Sequence, residues 1–459
     1  MLLLPIALLV SLVAAQAPAQ FFTQIVDHFN PQDGRTWQQK YYVNATNWVP
    51  GGPIFVSIGG EGPIGPDEVS VWQMSQYAAQ YNALQVAVEH RFYGDSRPLP
   101  DVSTASLQYL TIEQALADAA DFIIWIKAQF PTAGKVATFG GSYPGALSAW
   151  IRIKYPHVVD FSIAHSAPVL VVEDMISYLE VVDATLAKIG GQVCDTTVRA
   201  ANQLIDQMIT TSSGAAQLST MFNTCEQIKP SDWQQVATFA SNVMGNWMST
   251  VQYNRRRGYH VGAPNVTELC NFMANAAQQP LANYAQVSNW FLAMQNQSCL
   301  DISYKNVVSA LSNLQDFSGG RSWTYQTCVQ TGYFQTTDSP TQPFGSLVPL
   351  SYYTQLCADA FGLNMTNLPR IEETNRAYGG LDVVGATRIL FVNCNWDEWA
   401  SLSIVKSETP SILALVVRDG AHCCAMDPYV PGTGMSPHIL QAQKQISHQI
   451  GQWLKSPSL

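Results

Sequence analysis

Apolar runs alternate with helix-spaced apolar positions in the first third of the chain. Short apolar runs at residues 53–58, 84–89 and 136–139 predict buried strands. Between the last two runs, residues 112–130 carry alanine-rich apolar positions at helical spacing and predict an amphipathic helix. Strands that alternate with helices in this way indicate an α/β sheet.

The pattern changes to helical periodicity between residues 172 and 316, where strand signals are few. Four segments in this region predict amphipathic helices: 175–188, 197–210, 233–247 and 284–294. Buried strands return at residues 387–392 and 411–417. We expect one α/β core with a helical insertion, and we expect the insertion to form a cap over the active site.

Residues 135–150 have the layout of a nucleophile elbow. An apolar strand leads into Gly140 and Gly141, Ser142 stands at the apex of the turn, and a helix-forming run follows. A serine hydroxyl is a weak nucleophile, so it needs an exposed position, a neighbouring base and N–H groups that bind the oxyanion. Pro144 stands where the general G-x-S-x-G pattern has glycine. The alternative for this segment is an ordinary glycine turn.

Two later strands each precede a residue type that a serine nucleophile requires. Asp397 follows the strand at 387–392 and His422 follows the strand at 411–417, so the chain order is Ser, acid, His, as in α/β-hydrolases. Catalytic loops gather at the carboxyl edge of such sheets, and we therefore predict a triad of these two residues with Ser142. The alternatives are a loop-capping aspartate and a structural loop histidine. Three further carboxylates are rival acids: Glu398, Asp419 and Asp427.

The oxyanion hole is expected to use two backbone N–H groups. One belongs to Tyr143, which follows the nucleophile, and the other to Gly60, in the glycine-rich loop after the strand at 53–58. A simple glycine turn is the alternative for that loop.

Several stretches of the chain, taken with the elbow and the Asp397 and His422 loops, resemble one peptidase family. They are VDHFN at 26–30, GGEGP at 59–63, EHRFYGDS at 89–96, YLTIEQAL at 109–116 and WTYQTC at 323–328. The chain is similar to the serine peptidases of the prolyl carboxypeptidase, dipeptidyl peptidase II and thymus-specific serine protease family. The Tyr-Gln-Thr-Cys element places the resemblance nearest to the thymus-specific subgroup.

The resemblance implies both a fold and an activity. The fold is an α/β-hydrolase core in two parts, residues 20–172 and 316–459, with an inserted helical cap domain at residues 173–315. The activity is that of a serine-type exopeptidase that cleaves after proline or a small residue through an acyl-enzyme. A lipase or esterase of the same fold and a catalytically inactive binding protein are the alternatives.

Candidate substrate-binding residues are aromatic or polar. Four aromatic side chains are candidates for a pocket that accepts proline, with ordinary core positions as the alternative: Trp323, Tyr325, Trp396 and Trp399. Glu61 and Gln330 are the polar candidates. Gln330 stands where the family has glutamate, which leaves open whether an acidic residue binds a free amino group. Three further departures from the family are His165 for serine, Glu398 for proline and Cys394 for glycine.

Composition narrows the class of protein. The chain has 459 residues, 47% of them hydrophobic and 12% charged, so it can bury a large core. Its net charge of −10 and the lack of a basic stripe argue against nucleic acid as a partner. We expect peptide substrates and no cofactor, and we leave monomer and homodimer as alternatives.

The N-terminus predicts export. Residues 1–19 are leucine-rich and end in small residues, as in a secretory signal peptide, and no later apolar run is long enough for a membrane span. We expect a secreted or a lysosomal or vacuolar protein. Four Asn-x-Ser/Thr sequences are then glycan acceptors: Asn44, Asn265, Asn296 and Asn364.

Nine cysteines fit an oxidising compartment, and their odd number leaves at least one of them outside an intramolecular pair. Six of them lie between residues 194 and 357, where they can link parts of the insertion. Cys394 can pair with Cys423 or Cys424 and so join the acid loop to the histidine loop. A metal site made of these three cysteines and His422 is the alternative, but adjacent ligands do not match the spaced pairs of structural zinc sites, so we expect no metal.

Overall fold

A computed structural model describes residues 17–254, 264–383, 385–433 and 435–457, so residues 1–16 of the predicted signal peptide lie outside the described residues. The described strands are β1 (Gln20–Ile25), β2 (Thr36–Asn44), β3 (Ile54–Ile58), β4 (Leu84–Val88), β5 (Val136–Gly141), β6 (Phe161–His165), β7 (Val172–Asp174), β8 (Gly332–Phe334), β9 (Ile389–Cys394) and β10 (Ile412–Val417). Eight of them form one sheet in the order β1-β2-β4-β3-β5-β6-β9-β10, while β7 and β8 pair separately.

The described α-helices are α1 (Gln73–Tyr81), α2 (Thr104–Leu107), α3 (Ile112–Gln129), α4 (Tyr143–Lys154), α5 (Ser177–Thr185), α6 (Gln192–Met208), α7 (Ser212–Met221), α8 (Trp233–Gln252), α9 (Val266–Met273), α10 (Pro280–Met294), α11 (Tyr304–Ala310), α12 (Gly320–Gln326), α13 (Leu350–Phe361), α14 (Ile371–Tyr378) and α15 (Pro437–Lys455). Each strand and helix that the hydrophobic pattern predicted is confirmed, although several helix ends shift. The pattern did not reveal β1, β2, β6 or α15. Within the described residues, no helix combines the length and the apolar character needed to cross a membrane.

The central strands of the large sheet are buried on both faces. β1, β2 and β4 pair in antiparallel fashion, and the remaining neighbours, from β4 to β10, are parallel. Helices α3 and α4 place Phe122 and Trp150 against one face, whereas α1 and α15 place Tyr77 and Ile446 against the other. Because both faces are covered, the central strands are almost continuously apolar, and this explains why they could be predicted.

A long helical insertion separates β6 from β9. The predicted cap, residues 173–315, contains α5 to α11, and α12 to α14 follow it before β9 begins. Disulfides Cys194–Cys270 and Cys225–Cys299 lie within the predicted cap, and Cys328–Cys357 links the region of α12 to α13. The expectation that these cysteines link parts of the insertion is confirmed for four of the six, and the Cys328–Cys357 disulfide lies beyond the predicted cap.

The parallel part of the sheet brings four distant loops to one edge. The carboxyl ends of β3, β5, β9 and β10 precede the Gly60 loop, Ser142, Asp397 and His422. Since parallel strands end on the same side of a sheet, this edge is where the candidate site is built.

Candidate active site

Ser142 occupies a sharp turn between β5 and α4. Its φ of 65° and ψ of −135° lie in a region that non-glycine residues adopt at a cost of about 1–3 kcal/mol. The turn requires glycine at position 140, because a Cβ on Gly140 would lie 2.1 Å from the Pro144 carbonyl oxygen. The Ser142 N–H donates to the His165 carbonyl at 3.0 Å, at the end of the neighbouring strand β6. This is the geometry of a nucleophile elbow.

A buried hydrogen bond joins the candidate base to the candidate acid. His422 Nδ1 lies 2.7 Å from Asp397 Oδ1, and the side chains are 2% and 0% exposed. Burial disfavours the charged imidazolium, but Asp397 and Cys423 together outweigh this effect and raise the pKa of His422 well above its usual value. With Nδ1 bound to the acid, Nε2 is buried and has no hydrogen-bond partner among the described residues, which leaves it free to accept a proton.

The histidine loop packs directly against the elbow. A Cβ built on Gly141 would lie 2.2 Å from Met426 Sδ and 2.9 Å from Cys423 Sγ. Cys423 is the chain neighbour of His422, and Gly141 is the chain neighbour of Ser142. The contact between these neighbours brings the candidate base and the candidate nucleophile to one place, although 280 positions separate them in the chain.

The structure bonds Asp397, and not a rival acid, to His422. Glu398 is fully buried, and burial together with the Asp397 charge raises the pKa of its carboxyl well above the usual value, so it favours the neutral form. Asp419 is half exposed and lies 3.9 Å from the His438 ring nitrogen. Asp427 is tied to α15, whose Gln443 amide donates to its backbone carbonyl at 2.7 Å.

A disulfide holds the acid and histidine loops together. Cys394, at the end of β9, pairs with Cys424, two residues after His422. Of the two partners that the sequence left open, the structure selects Cys424, and Cys423 is a buried free cysteine. Among the described residues there is no cluster of three or more acidic, histidine or cysteine side chains that could hold a metal ion.

The two candidate oxyanion residues lie beside each other. A Cβ on Gly60 would stand 2.1 Å from Pro144 Cγ, so the loop after β3 touches the start of α4. Tyr143 is the first residue of that helix, where backbone N–H groups have no intrahelical acceptor and attract anions. The Tyr143 side chain is anchored separately, because its hydroxyl lies 3.1 Å from His90 Nε2 and 2.9 Å from Gln326 Nε2.

Glu61 brings a carboxylate to the same edge. It follows Gly60, and its Oε2 is buried with no hydrogen-bond partner among the described residues. Burial raises the pKa of this carboxyl, and the charge of His422 opposes the shift. An acidic group that lacks a partner beside the candidate base is suited to bind a cationic group of a ligand.

Two of the other predicted substrate residues, Trp323 and Trp399, lie next to residues of the candidate site. The Trp323 ring centre lies 5.4 Å from that of Tyr143, and the Trp399 ring centre lies 6.3 Å from that of His422. Trp396 is buried in the acid loop, where its backbone N–H donates to the Gly420 carbonyl.

The two remaining candidates contact other parts of the fold. Tyr325 packs against Phe361 of α13, with ring centres 5.5 Å apart. Gln330 accepts from the Ile112 N–H at 2.9 Å and donates to Glu113 Oε2 at 2.9 Å. The structure therefore uses Gln330 to fix the start of α3 and does not place it with the catalytic candidates.

The sequence did not indicate Gln252, a residue of the helical insertion, as part of the site. Gln252 ends α8, and its backbone carbonyl accepts the His422 N–H at 3.0 Å. No sequence signal marks it, because an amphipathic pattern shows which face of a helix is buried but not what its end touches.

Two of the glycosylation candidates, Asn296 and Asn364, are exposed. Asn265 caps α9, and the Asn44 side chain donates to the Val69 carbonyl at 2.8 Å.

The sheet order, the elbow and the loops at the carboxyl edge define an α/β-hydrolase. The serine carboxypeptidase S28 family matches residues 24–446, and the chain belongs to this family of serine-type peptidases. The chain is 33% identical to human thymus-specific serine protease, over 96% of this chain and 88% of that protein. It is 29% identical to human lysosomal Pro-X carboxypeptidase, over 89% and 83%.

The thymus-specific protease is the more similar of these two relatives, so the predicted subgroup is confirmed. Among solved structures, an epoxide hydrolase from Vigna radiata aligns with 96% of this chain and 98% of its own chain, at 12% identity and a TM-score of 0.40. That likeness is too distant to bear on function.

Proposed function

We propose that the chain hydrolyses peptides through a covalent acyl-enzyme. Ser142 attacks the scissile carbonyl as His422 Nε2 takes its proton, and Asp397 fixes the imidazole tautomer and stabilises the imidazolium. The N–H groups of Gly60 and Tyr143 bind the oxyanion. His422 passes this proton to the leaving amine as the scissile C–N bond breaks, and the acyl group remains as an ester on Ser142. Water then attacks the ester while His422 takes its proton and returns it to Ser142 Oγ, and the acid product departs. The observation that carries the proposal is the buried 2.7 Å bond between His422 Nδ1 and Asp397 Oδ1 beside the elbow.

We propose exopeptidase specificity, with cleavage after proline or a small residue. Trp323 and Trp399 flank the catalytic candidates, and their flat apolar faces suit a pyrrolidine ring. Glu61 offers a carboxylate oxygen, Oε2, without a hydrogen-bond partner among the described residues, to which a free amino terminus can bind. One relative, lysosomal Pro-X carboxypeptidase, carries a proline specificity in its name.

A cap formed by the helical insertion would favour exopeptidase activity over endopeptidase activity. We propose that residues 173–315 restrict the cleft to peptide ends and exclude water from it. The bond from the His422 N–H to the Gln252 carbonyl supports this role, because it places the end of α8 at the catalytic loop.

We propose export and a secreted or lysosomal location. The support comes from the N-terminal signal pattern, from four disulfides among the described residues and from the similarity to lysosomal Pro-X carboxypeptidase. In such a compartment the four predicted asparagines are available as glycan acceptors.

The test uses the purified mature chain and Ala-Pro-Phe-type peptides with free and with blocked ends, across acidic to neutral pH. We expect cleavage after proline that is lost when one particular end is blocked, and mass spectrometry identifies that end. Equal cleavage of blocked and free peptides would remove the exopeptidase assignment, and indifference to proline would remove the pocket. An ester substrate and a fluorophosphonate probe serve as controls: turnover of the ester alone indicates an esterase, and failure to label indicates an inactive protein.

A further inference from the structure

Four hydrogen bonds form a closed ring through two members of the candidate triad, Trp399 and one residue of the helical insertion. Gln252 Oε1 accepts from Trp399 Nε1 at 3.1 Å, and the Trp399 backbone N–H donates to Asp397 Oδ1 at 3.0 Å. Asp397 Oδ1 lies 2.7 Å from His422 Nδ1, and the His422 backbone N–H donates to the Gln252 carbonyl at 3.0 Å. The ring of hydrogen bonds therefore begins and ends at Gln252, the residue that belongs to the insertion.

The orientation of the Gln252 amide follows from its neighbours. An indole N–H is only a donor, so the atom that faces Trp399 must be the amide oxygen. The Tyr178 hydroxyl donates to the same oxygen at 2.6 Å, and the amide nitrogen donates to the Tyr253 hydroxyl at 2.7 Å. The Tyr253 ring in turn lies 6.3 Å from the His422 ring. Both ends of the amide are thus held in place beside the histidine.

We propose that Gln252 is a positioning residue of the triad, an inference that rests on the proposed function. The acid loop and the histidine loop leave different strands, and within the core the Cys394–Cys424 disulfide links them. Gln252 contacts both loops, the acid loop through its side chain and the histidine loop through its backbone carbonyl. It thereby orients Asp397 Oδ1, the single atom that accepts from both Trp399 and His422.

The hydrogen bond between His422 and Asp397 tolerates only a small displacement of either side chain. A displacement of about 1 Å in catalytic geometry can cost about 10²-fold in rate, even when the change lies away from the reacting atoms. Without the amide oxygen, the indole N–H of Trp399 loses its acceptor in a buried setting, and the short helical turn Glu398–Leu402 that carries it is free to shift. That turn also carries the N–H that fixes the Asp397 carboxylate. A looser carboxylate raises the pKa of His422 less, so the acidic limb of the pH profile must move.

The test substitutes Gln252→Met, which keeps the length of the side chain and removes the acceptor. We expect kcat to fall by about 10- to 100-fold while KM changes by less than about threefold, because orientation and not binding is lost. The acidic limb of kcat/KM should move to lower pH, and labelling by a fluorophosphonate should slow in parallel. A purely structural role would lower the melting temperature and leave the pH limb in place.

Two control variants accompany it. Tyr178→Phe removes the second donor to the Gln252 oxygen but leaves all four bonds of the ring, so it should lower stability and move the acidic limb less than Gln252→Met does. Ser249→Ala alters the exposed side of the last turn of α8 and should match the wild-type protein in every readout. If Gln252→Met does not fold, Trp399→Phe removes the same bond from the other side and must produce the same shift of the acidic limb.

The outcomes separate this inference from the proposed function. A wild-type kcat and acidic limb in both Gln252→Met and Trp399→Phe, with Ser142→Ala inactive, would overturn the positioning role alone. Retained activity in Ser142→Ala would overturn the triad and the ring with it.

Discussion

The substitution Asp397→Asn tests the triad at its most buried point. It removes the charge that faces His422 across 2.7 Å, where both side chains are almost fully buried. Two unit charges about 4 Å apart at an effective dielectric constant of about 20 attract each other by about 4 kcal/mol. That energy corresponds to about 10³-fold in rate, because each 1.4 kcal/mol is tenfold. A misplaced tautomer adds to this loss, so we expect kcat to fall by roughly 10⁴-fold.

The structure also predicts how the residual activity depends on pH. The Asp397 carboxylate raises the pKa of His422, so its removal should lower that pKa and move the acidic limb of kcat/KM to lower pH. Steady-state assays with a proline-containing peptide measure the rate, and thermal unfolding checks that the fold is kept. Glu398→Gln, Asp419→Asn and Asp427→Asn are the matched controls and should be much milder. Activity of Asp397→Asn within tenfold of wild type, or a crippling effect from one of the controls, would refute the assignment.

Three further changes test other parts of the site and the insertion. Ser142→Ala should abolish peptide hydrolysis and fluorophosphonate labelling at an unchanged melting temperature, and activity within about tenfold of wild type would exclude it as the nucleophile. Gly60→Ala should lower kcat more than it changes KM, because its Cβ would stand 2.1 Å from Pro144 Cγ and push the oxyanion loop away; an unchanged kcat would remove Gly60 from the hole. Burial and a hydrogen bond with Asp195 raise the pKa of Asp183 to about 7, so the folded chain holds a proton that the unfolded chain releases above about pH 4. This contribution to stability is lost as pH rises from about 4 to about 7. Asp183→Asn should therefore narrow the difference in melting temperature between pH 5 and pH 7.5. An unchanged difference would show that the Asp183 carboxyl keeps no such proton.

Much of the core followed from local pattern. The run at residues 84–89 is mostly apolar because β4 is covered on both faces, and the helix at 112–130 shows its spacing because α3 has one buried side. Glycines before Ser142 indicated the elbow for a steric reason that the structure makes explicit, since a Cβ at Gly140 has no room. β1, at the edge of the sheet, and its neighbour β2 were missed, because their sequences mix polar and apolar residues and carry no comparable signal.

The sequence by itself determined the residue types of the candidate site and their order along the chain, because each type follows a strand whose apolar run is a local property. Only the tertiary structure selected Asp397 among four neighbouring carboxylates and Cys424 between two adjacent cysteines. It alone showed that Gln330 contacts the start of α3 and that Gln252, a residue of the insertion, contacts the histidine loop. These choices depend on which loops meet across the edge of the sheet, and no short-range preference of the chain encodes contacts between residues that are 25 to 218 positions apart.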